Sequence, residues 1–287
     1  MPEGFDWRDL DRAALSRAYD NSGAVADSAA IVADWRRRSG SLRAAIAGVE
    51  FSYGPRSRQR IDLYRCGTPG APCLAFIHGG YWQRNAKEGF TCMAEGPLAL
   101  GLDVALVGYT LAPEASLTEI AMEICVGLRR LRAEAAPPRL IVSGWSAGGH
   151  LAALTAQEAD AALAISGIFD LAPIAHTSLD DVLHLTDDEV AALSPIRHLA
   201  RGTPPVSVIF GADELPELRR QSTDYHAVRI AAGLDGRPRR QAPHGARHEP
   251  LHGARRDHPT GRHHSPRSSP LGWPLRRHAK SYPSTQL

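Results

Sequence analysis

The strongest constraint on the fold is the segment Gly-Trp-Ser-Ala-Gly at residues 144–148, which has the pattern Gly-x-Ser-x-Gly. A short β-branched run precedes it at residues 139–143, and a run rich in alanine and leucine follows it at residues 151–157. The pattern predicts a strand, a tight turn and a helix, because glycines on both sides of the serine let the strand and the helix approach closely. Such a turn would lift the Ser146 hydroxyl above a sheet, beside the unpaired amides of a helix N-terminus. The alternative interpretation is a glycine-rich turn with an incidental serine.

A second glycine-rich motif, His-Gly-Gly-Tyr-Trp at residues 78–82, follows an earlier apolar run. Acyl-transfer chemistry needs backbone N–H groups aimed at the developing oxyanion. In enzymes with a serine turn of this kind, one N–H comes from the residue after the serine, here Ala147, and others come from a glycine-rich loop. Gly79 and Gly80 are therefore candidates for an oxyanion hole. We interpret His78 as a residue that braces the loop, since it belongs to the loop motif itself.

The rest of the chain alternates between apolar runs and helical patterns, which is typical of a mostly parallel sheet covered by helices on both faces. The sequence thus predicts the α/β class. Predicted strands lie at residues 60–65, 72–78, 103–109, 139–143, 161–166 and 205–210, and predicted helices at 6–43, 85–100, 115–136, 151–157 and 214–232. Residues 167–202 form a long excursion between strands. They are interpreted either as an insertion that shapes a substrate pocket or as a surface loop without contact to substrate.

A candidate acidic residue lies just beyond the last predicted strand, in the segment Gly-Ala-Asp-Glu at residues 211–214. A carboxylate at this point lies on the carboxyl edge of the sheet, on the same side as the serine turn. Asp213 is the candidate for the acid that orients a catalytic histidine, because serine, acid and histidine follow one another in that order in hydrolases of this class. Glu214 and Glu217 are alternatives. The competing interpretation makes Asp213 a turn residue or an N-terminal cap of the following helix.

Composition limits the remaining possibilities. The N-terminus lacks a basic and apolar leader, and no stretch is long enough to span a membrane. The four cysteines show no metal-ligand spacing, so four reduced thiols in a cytoplasmic protein are the default expectation. We expect a small-molecule substrate, no metal, no organic cofactor, and no membrane or nucleic-acid partner, with homodimerisation left open.

Taken together, the motifs resemble the α/β-hydrolase superfamily and, within it, bacterial proteins similar to arylformamidase (kynurenine formamidase). The resemblance covers residues 19–236. The matching motifs are the segments at residues 78–82, 144–150, 166–171, 193–195, 211–217 and 220–222. The resemblance implies a serine hydrolase of N-formyl aromatic amines, with N-formylkynurenine as the reference substrate and a role in tryptophan breakdown. A carboxylesterase acting on aryl or short acyl esters is the alternative, because the same machinery serves both bond types.

The resemblance also implies roles for individual residues. Ser146 would be the nucleophile and Asp213 the acid of a Ser-Asp-His triad. The oxyanion hole would be formed by the backbone of Gly79, Gly80 and Ala147. Substrate binding would involve Tyr81 and Trp82, which either line an aromatic pocket or simply pack under the loop.

The C-terminal part departs from this pattern, which divides the chain into an α/β-hydrolase domain at residues 1–236 and an aberrant tail at residues 237–287. The tail contains eight prolines, seven histidines and ten arginines but no Val, Ile, Phe or Met. It carries one lysine, one aspartate and one glutamate, hence a net charge of +9 in a chain whose total is +2, which leaves −7 for the rest. This composition predicts a disordered tail and a sheet without its last strand and helix.

Two hypotheses account for the tail: a basic extension that binds nucleic acid, and a shift of reading frame near Gly236. Codons compatible with residues 247–257 also encode, one nucleotide later, Gly-Thr-Asn-His-Phe-Thr-Val-Leu-Ala-Glu-Ile, which supplies a histidine loop of the expected kind. If the frame has shifted, the triad histidine is missing from this chain, and the product is an inactive hydrolase. The nominal substitutes are His244, His248 and His252.

Overall fold

The fold is built on a single twisted sheet. The structure is a computed structural model that describes residues 6–199, 202–234 and 239–241. The strands within these residues are β1 (Val49–Ser52), β2 (Arg60–Tyr64), β3 (Cys73–Ile77), β4 (Asp103–Val107), β5 (Leu140–Trp145), β6 (Ala161–Ile165), β7 (Val206–Gly211) and β8 (Arg239–Gln241). Their order across the sheet is β1-β2-β4-β3-β5-β6-β7-β8. The first two pairings, β1 with β2 and β2 with β4, are antiparallel, and all the others are parallel.

The central strands are buried on both faces, as parallel strands between two helical layers must be. In β3, every residue is buried. Leu74 and Phe76 point to a cluster that includes Trp35 of the N-terminal region, whereas Ala75 and Ile77 belong to the larger cluster on the opposite face. The predicted α/β class, with a mostly parallel sheet and helices on both sides, is confirmed.

The helices fill the two layers around this sheet. The α-helices within the described residues are α1 (Arg12–Ala18), α2 (Asn21–Ala24), α3 (Ser28–Ala45), α4 (Glu95–Ala99), α5 (Leu117–Ala135), α6 (Ala147–Leu154), α7 (Asp180–Leu183), α8 (Asp187–Leu193) and α9 (Pro216–Ala231). Short 3₁₀ helices lie at Trp7–Asp9, Lys87–Ala94, Ala156–Glu158, Ile174–His176 and Pro195–Arg197. Among these helices, none is both long and apolar enough to cross a membrane.

Helix α5 begins and ends at residues whose local sequence signals are strong. Ser116 and Glu119 form a reciprocal capping box at its start, which satisfies two backbone N–H groups. At its end, Ala136 adopts a left-handed conformation, and the prolines that follow cannot continue the helix. The predicted helix at residues 115–136 is therefore confirmed to within two residues at each end.

Three elements differ from the sequence-based expectation. Residues 6–43 are predicted to be helical, but this segment is divided into a 3₁₀ helix and the separate helices α1, α2 and α3. Residues 85–100 were expected to form one helix, but Lys87–Ala94 is a 3₁₀ helix, and α4 is only five residues long. Pro97 lies in the first turn of α4, where its missing N–H costs nothing, and α4 ends at Ala99 before Gly101. Strand β1 was not expected, because four residues with little apolar alternation give no clear strand pattern.

The edge of the sheet next to β7 also differs from expectation, since the composition of residues 237–287 predicts no last strand. Strand β8 nevertheless pairs in parallel with β7, at Ile209, Phe210 and Gly211. A three-residue strand needs only backbone N–H and C=O groups, so an apolar sequence is not required for it. The predicted disorder of the tail and the predicted loss of a last helix concern residues outside those that the structure describes.

Candidate active site

The predicted serine turn is present and strained. Ser146 lies between β5 and α6 with φ +58° and ψ −119°, a backbone conformation that non-glycine residues rarely adopt. Its N–H donates to the carbonyl of Ile165 on the neighbouring strand (2.8 Å), and its carbonyl accepts from the His150 N–H (3.0 Å). These two bonds hold the strained residue from both sides, so the side chain is presented at the carboxyl edge of the sheet.

The glycines around Ser146 are required by close contacts, as expected. A Cβ on Gly144 would lie 2.2 Å from the Gly148 carbonyl oxygen, and a Cβ on Gly148 would lie 2.1 Å from the carbonyl oxygen of Ile77. Neither contact is compatible with a side chain. The Gly-x-Ser-x-Gly pattern is thus explained by the packing of α6 on β3 and β5.

The glycine-rich loop after β3 lies directly beside the serine. A Cβ on Gly79 would lie 3.1 Å from the Ser146 Cβ and 2.7 Å from the Trp145 carbonyl oxygen. Ala147 is the first residue of α6, so its N–H has no intrahelical partner. The structure therefore brings together Ser146, Ala147 and the glycine loop, which the sequence analysis combined into one site.

His78 braces this loop from within. Its Nδ1 lies 2.9 Å from the carbonyl oxygen of Gly79, and its ring stacks on Tyr109 with 4.4 Å between the ring centroids. Burial lowers the pKa of His78 from its ordinary value of 6.5 to about 4. At neutral pH the ring is uncharged, and Nδ1 must carry the proton in order to donate to Gly79. These contacts match the predicted bracing role.

The two aromatic residues of the loop are inside the protein. Tyr81 is buried and donates its hydroxyl hydrogen to the carbonyl of Tyr19 (2.5 Å). Trp82 is fully buried, with its ring edge-on to His150 at 5.0 Å. Both side chains thus pack under the loop, and their role in substrate binding stays a prediction.

The turn after β7 and the start of α9 carry three carboxylates that differ in their contacts. Glu214 accepts hydrogen bonds from the Gly211 N–H (2.7 Å) and from the Ser166 hydroxyl. Glu217 is fully buried and paired with Arg220. Asp213 is exposed, and its carboxylate makes no hydrogen bond or ion pair within the described residues.

Asp213 therefore stays a candidate for the triad acid, and so does Glu214, whose second oxygen, Oε2, is buried without a hydrogen-bond partner. The cap interpretation of Asp213 is wrong, because the residue at the cap position of α9 is Leu215, and no side chain caps this helix. The alternative of a turn aspartate stays open, since Asp213 lies in the turn between β7 and α9. Glu217 differs from Asp213 and Glu214, because each of its carboxylate oxygens is bound by Arg220, a contact that the sequence alone does not show.

The histidines of the described residues do not complete a triad. His78 and His150 are bound to the carbonyls of Gly79 and Leu193, and His198 to that of Ala191. The others are His176, which stacks on Trp7, and His184 and His226 on the surface side of their helices. None of the six forms a hydrogen bond with Ser146 or Asp213. The nominal substitutes His244, His248 and His252 lie outside the residues that the structure describes.

The insertion at residues 167–202 borders the site. Its helix α8 ends next to α6, where the Leu193 carbonyl lies 2.8 Å from His150 Nε2. A second contact joins it to the glycine loop, because Gln83 Nε2 donates to the Leu179 carbonyl (2.7 Å). These contacts favour an insertion that shapes the surroundings of Ser146 over an independent surface loop.

Asn85 was not recognised from the sequence. It has a positive φ of +77°, and its Nδ2 donates to the Gly79 carbonyl at 3.1 Å. The only signal available beforehand was the residue type, since asparagine adopts left-handed conformations more readily than other side chains. Ser166, directly after β6 with φ +51°, has no sequence signal of its own beyond its place in the segment at residues 166–171.

Comparisons with known proteins agree with this geometry. Residues 74–197 match a family model described as the alpha/beta hydrolase fold. The kynurenine formamidase of Danio rerio is 27% identical over 65% of this chain and 70% of that protein. The kynurenine formamidase of Salmo salar is 25% identical over 79% of this chain and 86% of that protein. A candidate thioesterase from Silicibacter sp. TM1040 has a crystal structure with a TM-score of 0.70 and 27% identity, covering 80% of this chain and 91% of that chain.

Proposed function

Since this chain is a hydrolase with the α/β-hydrolase fold and is similar to kynurenine formamidases, we propose that it hydrolyses N-formyl aromatic amines such as N-formylkynurenine. The products are formate and the free amine. The observation that carries the proposal is the strained Ser146 at the N-terminus of α6, in contact distance of the glycine loop at Gly79. This arrangement provides a nucleophile and backbone donors in one place, which is what acyl transfer requires.

In the proposed reaction, the Ser146 oxygen attacks the formyl carbon, and the resulting oxyanion accepts hydrogen bonds from backbone N–H groups of Gly79, Gly80 and Ala147. The C–N bond then breaks, the amine leaves with a proton, and formate remains esterified to the serine until water releases it. Each oxyanion donor typically contributes about 10²–10³-fold to kcat. No group beyond the polypeptide and water takes part in these steps.

The serine proton needs a base, and in this proposal Asp213 is the acid that orients its imidazole. The base is either a histidine of the C-terminal region, with His244, His248 and His252 as nominal candidates, or the histidine of the Asn-His-Phe segment in the alternative reading frame. In the second case, the chain with the present sequence has little turnover that depends on Ser146. A residual rate enhancement from the oxyanion hole and binding remains even when a triad member is absent.

The test compares hydrolysis of N-formylkynurenine by the full chain and by Ser146→Ala, each with and without added imidazole as an external base. We expect low activity that rises and saturates with imidazole in the full chain but not in Ser146→Ala. Vigorous activity without imidazole that is lost in a His244, His248 or His252 variant would assign the base to the tail. Equal rates in the full chain and in Ser146→Ala under all conditions would refute the assignment of Ser146.

An esterase is the second candidate, because the same nucleophile and backbone donors serve ester bonds, and the similar Silicibacter protein is a candidate thioesterase, a class that cleaves the related thioester bond. The same experiment distinguishes the two, with p-nitrophenyl acetate assayed in parallel at equal imidazole. A kcat/KM for the ester that exceeds that for the formamide by orders of magnitude, after subtraction of the Ser146→Ala background, would identify an esterase.

A further inference from the structure

The peptide that joins Gly79 to Gly80 is held firmly on its carbonyl side. The Gly79 carbonyl accepts from Asn85 Nδ2 at 3.1 Å and lies 2.9 Å from Nδ1 of His78. In a trans peptide the C=O and N–H bonds point in opposite directions. The N–H of Gly80 therefore points away from Asn85 and His78, and it donates to no group within the described residues.

This peptide is next to the reactive serine. The side of Gly79 that would carry a Cβ faces the Cβ of Ser146 at 3.1 Å. The residue after Ser146, Ala147, is the first residue of helix α6, and its N–H lies at the start of that helix. An oxyanion formed on Ser146 can thus accept a hydrogen bond from the Gly80 N–H only while the peptide keeps this orientation. After a rotation of the peptide by about 180°, the Gly79 carbonyl oxygen would face the oxyanion instead and repel it.

Asn85 is itself anchored to the rest of the protein. The Arg58 guanidinium donates to the Asn85 carbonyl and, through Nε, to the Tyr109 carbonyl at 2.9 Å, beyond the end of β4. The Asn85 amide also packs against the side of Gly80 where another residue would carry its side chain. A Cβ on Gly80 would lie 2.7 Å from Asn85 Nδ2. His78 is anchored too, since its ring stacks on Tyr109 and its carbonyl accepts from the Tyr109 hydroxyl at 3.0 Å, but it is the chain neighbour of Gly79, whereas Asn85 reaches the peptide from six residues further along the chain.

We propose that Asn85 is a positioning residue that holds the Gly79–Gly80 peptide with the Gly80 N–H turned toward Ser146, and so keeps the oxyanion hole formed in the absence of substrate. The inference rests on the proposed function only in taking Ser146 as the nucleophile; it does not depend on whether the substrate is a formamide or an ester.

The test uses phenylboronic acid, which mimics the tetrahedral intermediate and needs no turnover. The Ser146 oxygen adds to boron, the boron becomes a four-coordinate anion, and the serine proton passes to solvent. Its affinity is measured by calorimetry for the full chain and for Asn85→Ala, Asn85→Asp and Ser146→Ala. Asn85→Asp keeps the shape of the side chain but loses the donor. Gln83→Ala is the matched control, because it loses a hydrogen bond of the same loop, to Leu179, without touching Gly79.

We expect boronate binding by the full chain and by Gln83→Ala to be equal, and binding by both Asn85 variants to be weaker by about 10²-fold, the effect typical of one oxyanion donor. With imidazole present, kcat for p-nitrophenyl acetate should fall by a similar factor in Asn85→Asp, while KM stays nearly unchanged and the melting temperature stays close to that of the full chain. A merely structural role would lower the melting temperature and leave the affinity of the folded fraction unchanged.

Two outcomes would overturn the inference: Asn85 variants that bind the boronate as tightly as the full chain, and a full chain that binds it no better than Ser146→Ala. If binding depends on Ser146 and Asn85 but N-formylkynurenine is not hydrolysed, the inference stands, and the formamide proposal alone fails.

Discussion

At the scale of single residues, the serine turn depends on two positions that tolerate no Cβ. We predict that Gly148→Ala destabilises the protein by about 1–3 kcal/mol or more, because the new Cβ would lie 2.1 Å from the Ile77 carbonyl oxygen. Gly40→Ala, in the interior of α3 with no atom within 4 Å of its Cβ position, should stabilise by about 0.5–1 kcal/mol. Urea unfolding of both variants checks this. Equal changes in the free energy of unfolding would contradict the packing argument.

The two buried histidines near Ser146 make stability depend on pH. Burial lowers the pKa of His78 and of His150 from 6.5 to about 4. Between these values the unfolded chain binds protons that the folded chain excludes, so stability is complete above about pH 6.5 and falls as the pH falls toward 4. The loss is about 3 kcal/mol for each histidine.

The measurement is the free energy of unfolding at several pH values for the full chain, His150→Gln and the control His184→Gln, which changes an exposed histidine. His150→Gln should show a shallower pH dependence, whereas His184→Gln should follow the full chain. Parallel curves for all three proteins would show that His150 is not protonated on unfolding.

Sequence motifs predict residues of this site only at positions where the local geometry accepts a single residue type. The positions of Ser146 and its glycines follow from the sequence, because only glycine fits between α6 and the strands. The choice among Asp213 and its neighbouring glutamates requires the contacts of Ser166 and Arg220, which come from segments far away in the sequence. Asn85 could not be found beforehand, since a positive φ and a hydrogen bond across the loop leave no pattern in the sequence.

At the scale of elements, a buried ammonium group joins the 3₁₀ helix Lys87–Ala94 to the antiparallel edge of the sheet. Lys87 Nζ lies 2.7 Å from Asp62, 3.0 Å from Glu50 and 2.9 Å from Glu88. The three carboxylates are close enough together to hold a metal ion, but the lysine ammonium occupies the space between them. Burial opposes the charged form, yet the hydrogen bonds outweigh it and raise the pKa of Lys87.

We predict that Lys87→Met destabilises the protein by about 3–5 kcal/mol, because it leaves the buried Asp62 carboxylate next to two others without a cation. The control Arg130→Met breaks an exposed pair with Glu134 and should cost less than about 1 kcal/mol. Thermal unfolding at pH 7 measures both. Adding Asp62→Leu to Lys87→Met should recover part of the loss; an unchanged or lower stability of the double variant would argue against carboxylate repulsion as the cause.

The elements with strong periodicity or clear caps were predictable, as α5 and the central strands show. Strand β1 was not, because an edge strand with one neighbour has little need for apolar residues and most of its side chains remain exposed. The 3₁₀ character of Lys87–Ala94 depends on packing against α3 and on contacts such as the Ser39 hydroxyl to the Gly89 carbonyl, which lie beyond local sequence.

At the scale of the whole molecule, one tyrosine joins distant parts of the chain. The Tyr19 hydroxyl donates to Glu217 (3.0 Å) and accepts from Gln221 Nε2 (2.7 Å), while the Tyr19 carbonyl accepts from Tyr81 of the glycine loop. Gln221 in turn accepts from the N–H groups at the start of the insertion, including that of Phe169 (2.6 Å). The N-terminal segment, the glycine loop, the insertion and α9 thus meet at buried hydrogen bonds.

We predict that Tyr19→Phe destabilises the protein by about 0.5–1.5 kcal/mol, because it removes one buried hydrogen bond from Glu217 and one from Gln221, while Arg220 still binds Glu217 and Gln221 still donates to the Asp170 carbonyl. The measurement is a double-mutant cycle with Gln221→Ala in denaturant unfolding. The effects should be less than additive, since both substitutions remove the same hydrogen bond. Strictly additive effects would indicate that the two side chains do not interact in solution.

The general architecture was predictable at this scale, because alternating apolar runs and helical patterns leave few other arrangements of a chain of this length. The convergence on Tyr19 was not, since contacts between residues about 200 positions apart follow from how the layers pack and from no local signal.

The order of the strands along the chain bears on how the protein is made. Strands β1 to β7, the Ser146 turn and Asp213 are all synthesised before roughly the last quarter of the chain, and protein domains begin to fold from the N-terminal side during synthesis. If the gene changes beyond the codons of β7, the core strands of the sheet are therefore translated before the ribosome reaches the change. Cellular quality control responds to unfolded chains and not to lost chemistry. Natural selection on folding thus acts mainly on the stretch up to β7, whereas natural selection on hydrolysis acts on that stretch, which contains Ser146 and Asp213, and also on the codons beyond it.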